Sequence, residues 1–277
     1  MGQNSHIQWT DHTFNPWTGC TKVAPECKNC YAELQEDYRY HRVKWGKGQP
    51  RHRTSESNWK QPVKWNAAAT ESGCRAKVFC ASLSDWLDDE VPVEWLADLL
   101  RLVRRTNMLD WLLLTKRPGN WTERIQSARH VLLGRGDDDA AQWLEEWAEG
   151  VIDPPGNIWL GVSAGVNPSP LLEIPARVHF LSCEPMLQPL PEENVRGFDW
   201  IIFGGESGPH ARPCDLAWIE SGIELCRQMN IAPFVKQLGS KAVAHGQPLV
   251  REPGIGDIKR GDIGRWPEPL RHREFPR

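Results

Sequence analysis

Long apolar runs are missing from this chain. Nothing in it approaches the roughly 18 consecutive apolar residues that a membrane-spanning helix needs, so no membrane association is expected. The opening residues, Met1 to Asp11, are polar and lack the apolar stretch of a secretory signal, and a cytoplasmic protein is the expectation. An excess of one sign of charge is missing too: 33 Lys and Arg stand against 36 Asp and Glu, and the formal net charge of −3 excludes a simple polycation that coats nucleic acid. Tyrosine is rare, at 3, against 15 tryptophans. Tryptophan fills cores, stacks on planar ligands and anchors interfaces, so its abundance alone selects no function. In a reducing compartment the 8 cysteines are not expected to form a disulfide framework. Cys80, Cys183 and Cys226 sit in apolar runs and read as buried structural thiols.

What is present is an α/β rhythm. Apolar runs rich in β-branched and aromatic residues occur at Lys77–Leu83, Asp110–Thr115, Asn157–Ser163, Arg177–Ser182, Trp200–Phe203 and Pro233–Gln237. Amphipathic stretches separate some of them. Pro92–Thr106 predicts a helix with one buried face, and Asp215–Met229 another with Asp215 as its N-cap. Strands buried on both faces and separated by helices predict a parallel sheet of βαβ units. The strand-like runs end in polar or glycine-bearing clusters, and in parallel α/β folds the active site lies at the carboxyl ends of the strands. Singly, each cluster also reads as turn and cap chemistry; together they point to a functional rim. Residues 132–156 read as an insertion, and the stretch from about 241 to 277, rich in glycine, proline and charge, as a wrapping tail on one domain spanning 1–277.

The densest chemistry is Cys20…Cys27-Lys28-Asn29-Cys30, a C-x6-C-x2-C loop after a turn-forming Asn15-Pro16-Trp17-Thr18-Gly19 and before a helical Tyr31–Tyr40. Three soft thiolates on one loop suit Zn²⁺ or an iron–sulfur cluster. A structural zinc site asks for a fourth ligand; His12 and His41 are nearest, and neither falls in a zinc spacing. A cluster on three thiolates leaves one iron open.

These residues carry a resemblance. The segments Thr18-Gly19-Cys20, Cys27 to Ala32, Ser84-Asp85, Leu114 to Pro118, Trp159 to Ser163, Phe180 to Pro185 and Gly204 to Gly208 closely resemble a phage-associated, uncharacterised family that itself looks like the radical S-adenosylmethionine proteins. The likeness runs through Val235-Lys236-Gln237 to Phe275-Pro276 and is weakest at 132–156. It implies a partial (β/α) barrel of parallel strands with a [4Fe–4S] cluster on Cys20, Cys27 and Cys30, placed on the loop after the first strand. It further implies S-adenosyl-L-methionine as cofactor, a 5′-deoxyadenosyl radical as reagent and a reductant protein as electron donor. The chain departs from the usual C-x3-C-x2-C by a longer first loop. Asn29 precedes the third cysteine where an aromatic residue is common, and Tyr31 follows it.

On that resemblance Ser84, Asp85, Thr115, Arg117, Ser163, Gly204, Gly205, Glu206, Ser207 and Lys236 are candidate cofactor-binding residues. Lys116 and Glu184 are candidate catalytic residues, and Gln237 is a further rim residue. Gly204-Gly205-Glu206 resembles a methionine-binding element, displaced to a late strand; glycines at a tight turn are the plainer reading. Between Tyr38 and Trp65, Arg39, Arg42, Lys44, Lys47, Arg51, Arg53, Lys60 and Lys64 are interleaved with Tyr40, Trp45 and Trp59, with Glu56 the only acid. That mixture suits phosphates and bases, and it equally suits a surface excursion pinned by its tryptophans. The expectation is a radical S-adenosylmethionine enzyme acting on a nucleic acid or nucleotide. The rivals are a metal-stabilised nucleic-acid-binding protein and a non-catalytic iron–sulfur electron-transfer or sensing module.

Overall fold

A computed structural model gives the protein over residues 2–249 and 257–276. The fold is α/β: seven parallel strands belong to one sheet, that of a partial (β/α) barrel. They are β1 (His12–Thr13), β2 (Ala76–Cys80), β3 (Leu109–Thr115), β4 (Ile158–Ser163), β5 (Val178–Cys183), β6 (Trp200–Gly204) and β7 (Ala232–Gln237). The last six are the runs read from sequence. β2 stops at Cys80 rather than at Leu83, and beyond it the buried Asn15 side chain takes the Leu83 N–H at 2.7 Å. β1 escapes the sequence reading, since two residues are too few for a hydrophobic period to show.

The chain forms two compact units. The first runs through Val162 and takes in Val166–Arg177. In it β1 to β4 lie side by side in chain order, with registers His12↔Val78, Ala76↔Leu109 and Trp111↔Ile158. β3 is buried at every position except the half-buried Leu114, as befits a strand covered on both faces. Helix α1 (Gln61–Ser72) has Pro62 in its first turn and ends on Gly73, whose φ of +67° closes the helix without a Cβ penalty. Helix α2 (Val93–Arg105) turns Leu96, Leu99, Leu100, Leu102 and Val103 inward and leaves Arg101 and Arg105 exposed. Each of those buried side chains contributes roughly 1.5–3 kcal/mol. Helices α3 (Trp121–Gly134) and α4 (Asp138–Ala148) follow. Inside the stretch singled out at 132–156, α4 buries Leu144 and Trp147. The Trp147 ring lies 4.7 Å from that of Trp121, and its N–H reaches the Pro175 carbonyl at 2.6 Å.

The second unit comprises Ser163–Gly165 and the chain from Val178. Here β5, β6 and β7 are parallel neighbours in chain order, with Trp200 of β6 between Phe180 and Ala232. Helix α5 (Leu216–Gln228) starts on Asp215, whose carboxylate accepts the Ala217 N–H at 3.0 Å, the cap read from sequence. Residues 250–256, part of the expected tail, lie outside the described residues. Beyond them Trp266 and Leu270 are buried. Among the described residues no helix is long and apolar enough to cross a membrane.

Candidate functional site

The cysteine loop follows β1 through a short strand, Trp17–Thr18. Gly19 then takes a φ of +102°, and a Cβ there would come 3.1 Å from Val43 and 3.2 Å from Arg51, so glycine alone brings the chain to Cys20 by this route. Pro25–Cys27 is a single 3-10 turn, and Cys30 caps a helical segment, Tyr31–Glu33, that continues in wider turns over Leu34–Arg39. Such wide turns recur at functional sites. Cys20, Cys27 and Cys30 are free thiols, all half-buried. Burial pushes the Cys20 thiol up to about 12, against the pull of Arg117. Burial raises Cys30 too, opposed by the N–H groups of Glu33 and Ala32 and by Lys116. Thiols held this way keep their protons at neutral pH until a metal displaces them. Among the described residues no three His, Cys, Asp or Glu side chains converge closely enough to hold a single metal ion.

Arg117 reaches this loop from just past the end of β3, 97 residues along the chain from Cys20. Its Nη1 donates to Cys20 Sγ at 3.4 Å and its Nη2 to the Thr21 carbonyl at 2.8 Å. Asp85 holds it there. That carboxylate accepts from Arg117 Nη1 at 3.1 Å, Thr115 Oγ1 at 2.7 Å, the Lys116 N–H at 2.8 Å and the Leu87 N–H at 3.0 Å. Burial works against the charge of Arg117, but Asp85, Cys20 and Asp88 outweigh it and its pKa is raised. With four donors on two oxygens, Asp85 is a strut for Arg117 and the strand ends rather than a group open to a ligand. Thr115 is committed to Asp85, and the Ser84 hydroxyl donates to the Trp17 carbonyl at 3.1 Å. Lys116, half-buried, acts on Cys30.

A second arginine braces the loop from behind. Arg51 Nε donates to Asp88 at 2.8 Å, and both side chains are 0% exposed. Its Nη1 donates to the carbonyls of Gly46 at 3.1 Å and Gln49 at 2.9 Å, and its Nη2 to the Thr21 hydroxyl at 2.9 Å and to Glu90. The Gly48 N–H, helped by Arg51 and Thr21, holds the Glu90 carboxyl below the usual range. Thr21, next to Cys20, is thereby tied to Arg51, Glu90 and Arg117 together. The interleaved segment divides accordingly. Arg51 is an internal brace, Arg53 lies 3.9 Å over the Trp59 ring and pairs with Asp98, and Trp59 and Trp65 are buried. That half of it is structural.

In the second unit Lys236 Nζ donates to both oxygens of Glu184 at 2.7 Å. Gly204 lies beneath, where a Cβ would come 3.2 Å from Glu184 Cγ. Gly205 has a different reason to be glycine: a Cβ would fall 2.3 Å from the Leu238 carbonyl oxygen. The Gly205 N–H donates to the Gln237 carbonyl at 3.1 Å, and Gln237 Nε2 returns a bond to the Gly205 carbonyl at 2.9 Å. Glu206 is clasped by Arg212, whose N–H, Nε and Nη2 donate at 2.7, 3.0 and 2.7 Å. Ser207 is half-exposed and Ser163 buried. Gly205 thus serves a backbone crossing, whereas Gly204 faces only side chains. Gly205→Ala should destabilise the fold by about 1–3 kcal/mol or more, since the obstructing atom is backbone. Gly204→Ala meets only a side chain and should fall well short of that. Urea unfolding midpoints of the two variants make the comparison.

A family described as a protein of unknown function (DUF5131) matches residues 4–264. The chain belongs to that family. Its match covers the cysteine loop, the Asp85–Arg117 strut and the Glu184–Lys236 pair alike. No curated protein and no solved structure matches the chain. In this DUF5131 chain the site residues that sequence reasoning missed are Thr21, Asp88 and Glu90. The acidic run Asp88-Asp89-Glu90, close behind Ser84-Asp85, was the available signal. It was silent because its partner, Arg51, reads as part of the basic segment.

Proposed function

We propose that the protein is a radical S-adenosylmethionine enzyme whose iron–sulfur cluster is held by Cys20, Cys27 and Cys30, and whose substrate is a nucleic acid or a nucleotide-bearing molecule. The observation that carries the reading is Arg117 on the Cys20 sulfur, a buried cation delivered to a half-buried thiol from a distant strand end. The donor set fits. Three free thiols share one loop, Arg117 and Lys116 supply positive charge beside two of them, and the helical N–H groups of Ala32 and Glu33 face Cys30. A structural zinc ion asks for a fourth protein ligand, whereas a cluster on three cysteines leaves one iron open. Metal loading commonly completes a site that the polypeptide alone does not preform.

When bound, the cluster and S-adenosylmethionine would supply the electron transfer and radical chemistry. The chain's own residues do the holding. Asp85 fixes Arg117, Arg117 fixes Cys20 and Thr21, and Arg51 fixes the same loop from the other side. Lys116 offers a cation for a carboxylate or phosphate, and the Glu184–Lys236 pair offers an acid and a base to a polar ligand that exchanges with them.

The test is direct. Protein purified without oxygen, reconstituted with iron and sulfide and reduced with dithionite should be brown and should convert S-adenosylmethionine to 5′-deoxyadenosine, read by mass spectrometry. Zinc with no iron would favour a metal-stabilised binding protein. Iron without 5′-deoxyadenosine would favour a non-catalytic module, and either result overturns the proposal.

A further inference from the structure

Tyrosine and tryptophan are sorted to opposite places in this protein. None of the 15 tryptophans is exposed, whereas all 3 tyrosines are: Tyr31 at 54%, Tyr38 at 64% and Tyr40 at 45%. All three stand within ten residues of one another, directly after Cys30. Tyr31 and Tyr38 lie along the helical segment 31–39 with Leu34, exposed at 45%, between them. Residues three and four apart share a helix face.

The charges around these rings are sorted as well. Between residues 22 and 47 every exposed charged side chain is a cation: Lys22, Lys28, Arg39, Arg42, Lys44 and Lys47. The four acids of that stretch are turned in, with Glu36 and Asp37 buried and Glu26 and Glu33 half-buried. The arrangement is held rigid from beneath. Asp37 accepts the Trp45 N–H at 2.8 Å and Lys44 Nζ at 2.9 Å, which ties the 40–47 loop to the helix. The Arg42 N–H donates to the Glu36 carbonyl at 2.8 Å. The Arg42 guanidinium stands 4.4 Å from the centre of the Tyr40 ring, and Arg39 stands 5.4 Å from it. Flat rings and flat guanidinium groups, preset on a cationic surface, are the chemistry that stacks unpaired bases and follows a phosphate backbone. Preset groups also lose little freedom on binding.

We infer that this tyrosine–arginine face, Tyr31 to Lys47, binds single-stranded nucleic acid beside the cysteine loop. A protein electron donor is the other class of partner such a place would suit, but the cationic aromatic surface favours unpaired bases. The inference deepens the proposed function by giving the substrate's form, single-stranded, and its landing place. The binding it asserts needs no cluster.

The experiment uses the full chain and a fluorescein-labelled mixed-sequence strand, as RNA and as DNA, followed by anisotropy across a salt series. The wild-type protein should bind either strand, more weakly as salt rises. Tyr38→Ala and Tyr40→Ala should each weaken binding about 5- to 150-fold, the range for one lost base stack, while the phenylalanine variants keep most of it. Arg39→Gln with Arg42→Gln should flatten the slope of log affinity against log salt by about 1.4. All four side chains are exposed, and circular dichroism should confirm intact folds. No binding at low salt, or binding indifferent to these replacements, overturns the inference. So does a loss confined to reduction by flavodoxin, which would mark the face as a protein-docking surface. Formation of 5′-deoxyadenosine without any strand is read separately, so a failed cluster and a failed strand site are told apart.

Discussion

Arg51→Met should cost the protein about 3–5 kcal/mol of unfolding free energy, the range for breaking a buried ion pair by removing one partner. The reason lies in what is left behind. Asp88 keeps the Glu90 N–H at 3.1 Å, but its nearest other cation, Arg117, stands at 3.9 Å, and its side chain is 0% exposed. The carbonyls of Gly46 and Gln49 and the Thr21 hydroxyl lose a donor in the same step. Arg51→Lys should recover little, since an ammonium on a flexible stem cannot fork toward Asp88, Glu90 and two carbonyls together. The double variant Arg51→Met with Asp88→Leu should be more stable than Arg51→Met alone, because the unpaired buried carboxylate is gone. Urea denaturation with linear extrapolation measures all three. If Arg51→Met unfolds at the wild-type midpoint, Arg51 belongs to a solvated basic surface and the brace behind the cysteine loop does not exist.

How far the sequence reaches is decided residue by residue. The six longer strands were legible because their apolar runs are continuous, which is what a two-sided burial environment writes into a strand. Helices α2 and α5 were legible through periodicity and the Asp215 cap. β1 was not, because its two residues are placed by pairing with Val78 and Phe79, a contact far along the chain. The cysteine trio stands out by its spacing, and among the described residues no three such ligands converge on one metal ion. The trio's surroundings are only half legible: Arg117 stands out for its place after a strand, but nothing local says that it turns onto Cys20. Arg51 shows the limit most sharply. In the sequence it sits among cations and aromatics and reads like its neighbours. In the fold it is buried against Asp88, while Arg39 and Arg42 remain outside. Local composition records the kind of side chain, and only tertiary pairing separates a brace from a binding group. The same holds for Gly205 and Glu206, which the fold engages with the backbone at Leu238 and with Arg212, partners that local sequence does not reveal.

Cys20→Ala, Cys27→Ala and Cys30→Ala should each abolish stable iron incorporation, and with it any 5′-deoxyadenosine, while Cys74→Ala, at an exposed position, leaves both unchanged. A cluster on three thiolates has no ligand to spare once one is removed. Arg117→Gln should behave differently. It keeps all three sulfurs but removes the donor at 3.4 Å from Cys20 and the cation that Asp85 holds. Groups that orient metal ligands typically contribute 10–100-fold in affinity when they are lost, so iron retention against a chelator should fall by about that factor rather than vanish. Arg117→Lys should lie between wild type and Arg117→Gln, since it restores charge without the forked reach to Thr21 and Asp85. Iron and sulfide analysis after anoxic reconstitution, with a timed chelator challenge, ranks the variants without relying on turnover. Equal iron retention in wild type and Arg117→Gln would detach Arg117 from the cysteines' chemistry. Full iron in any of the three alanine variants would remove that cysteine from the ligand set, and with it the open coordination position on which the catalytic proposal depends.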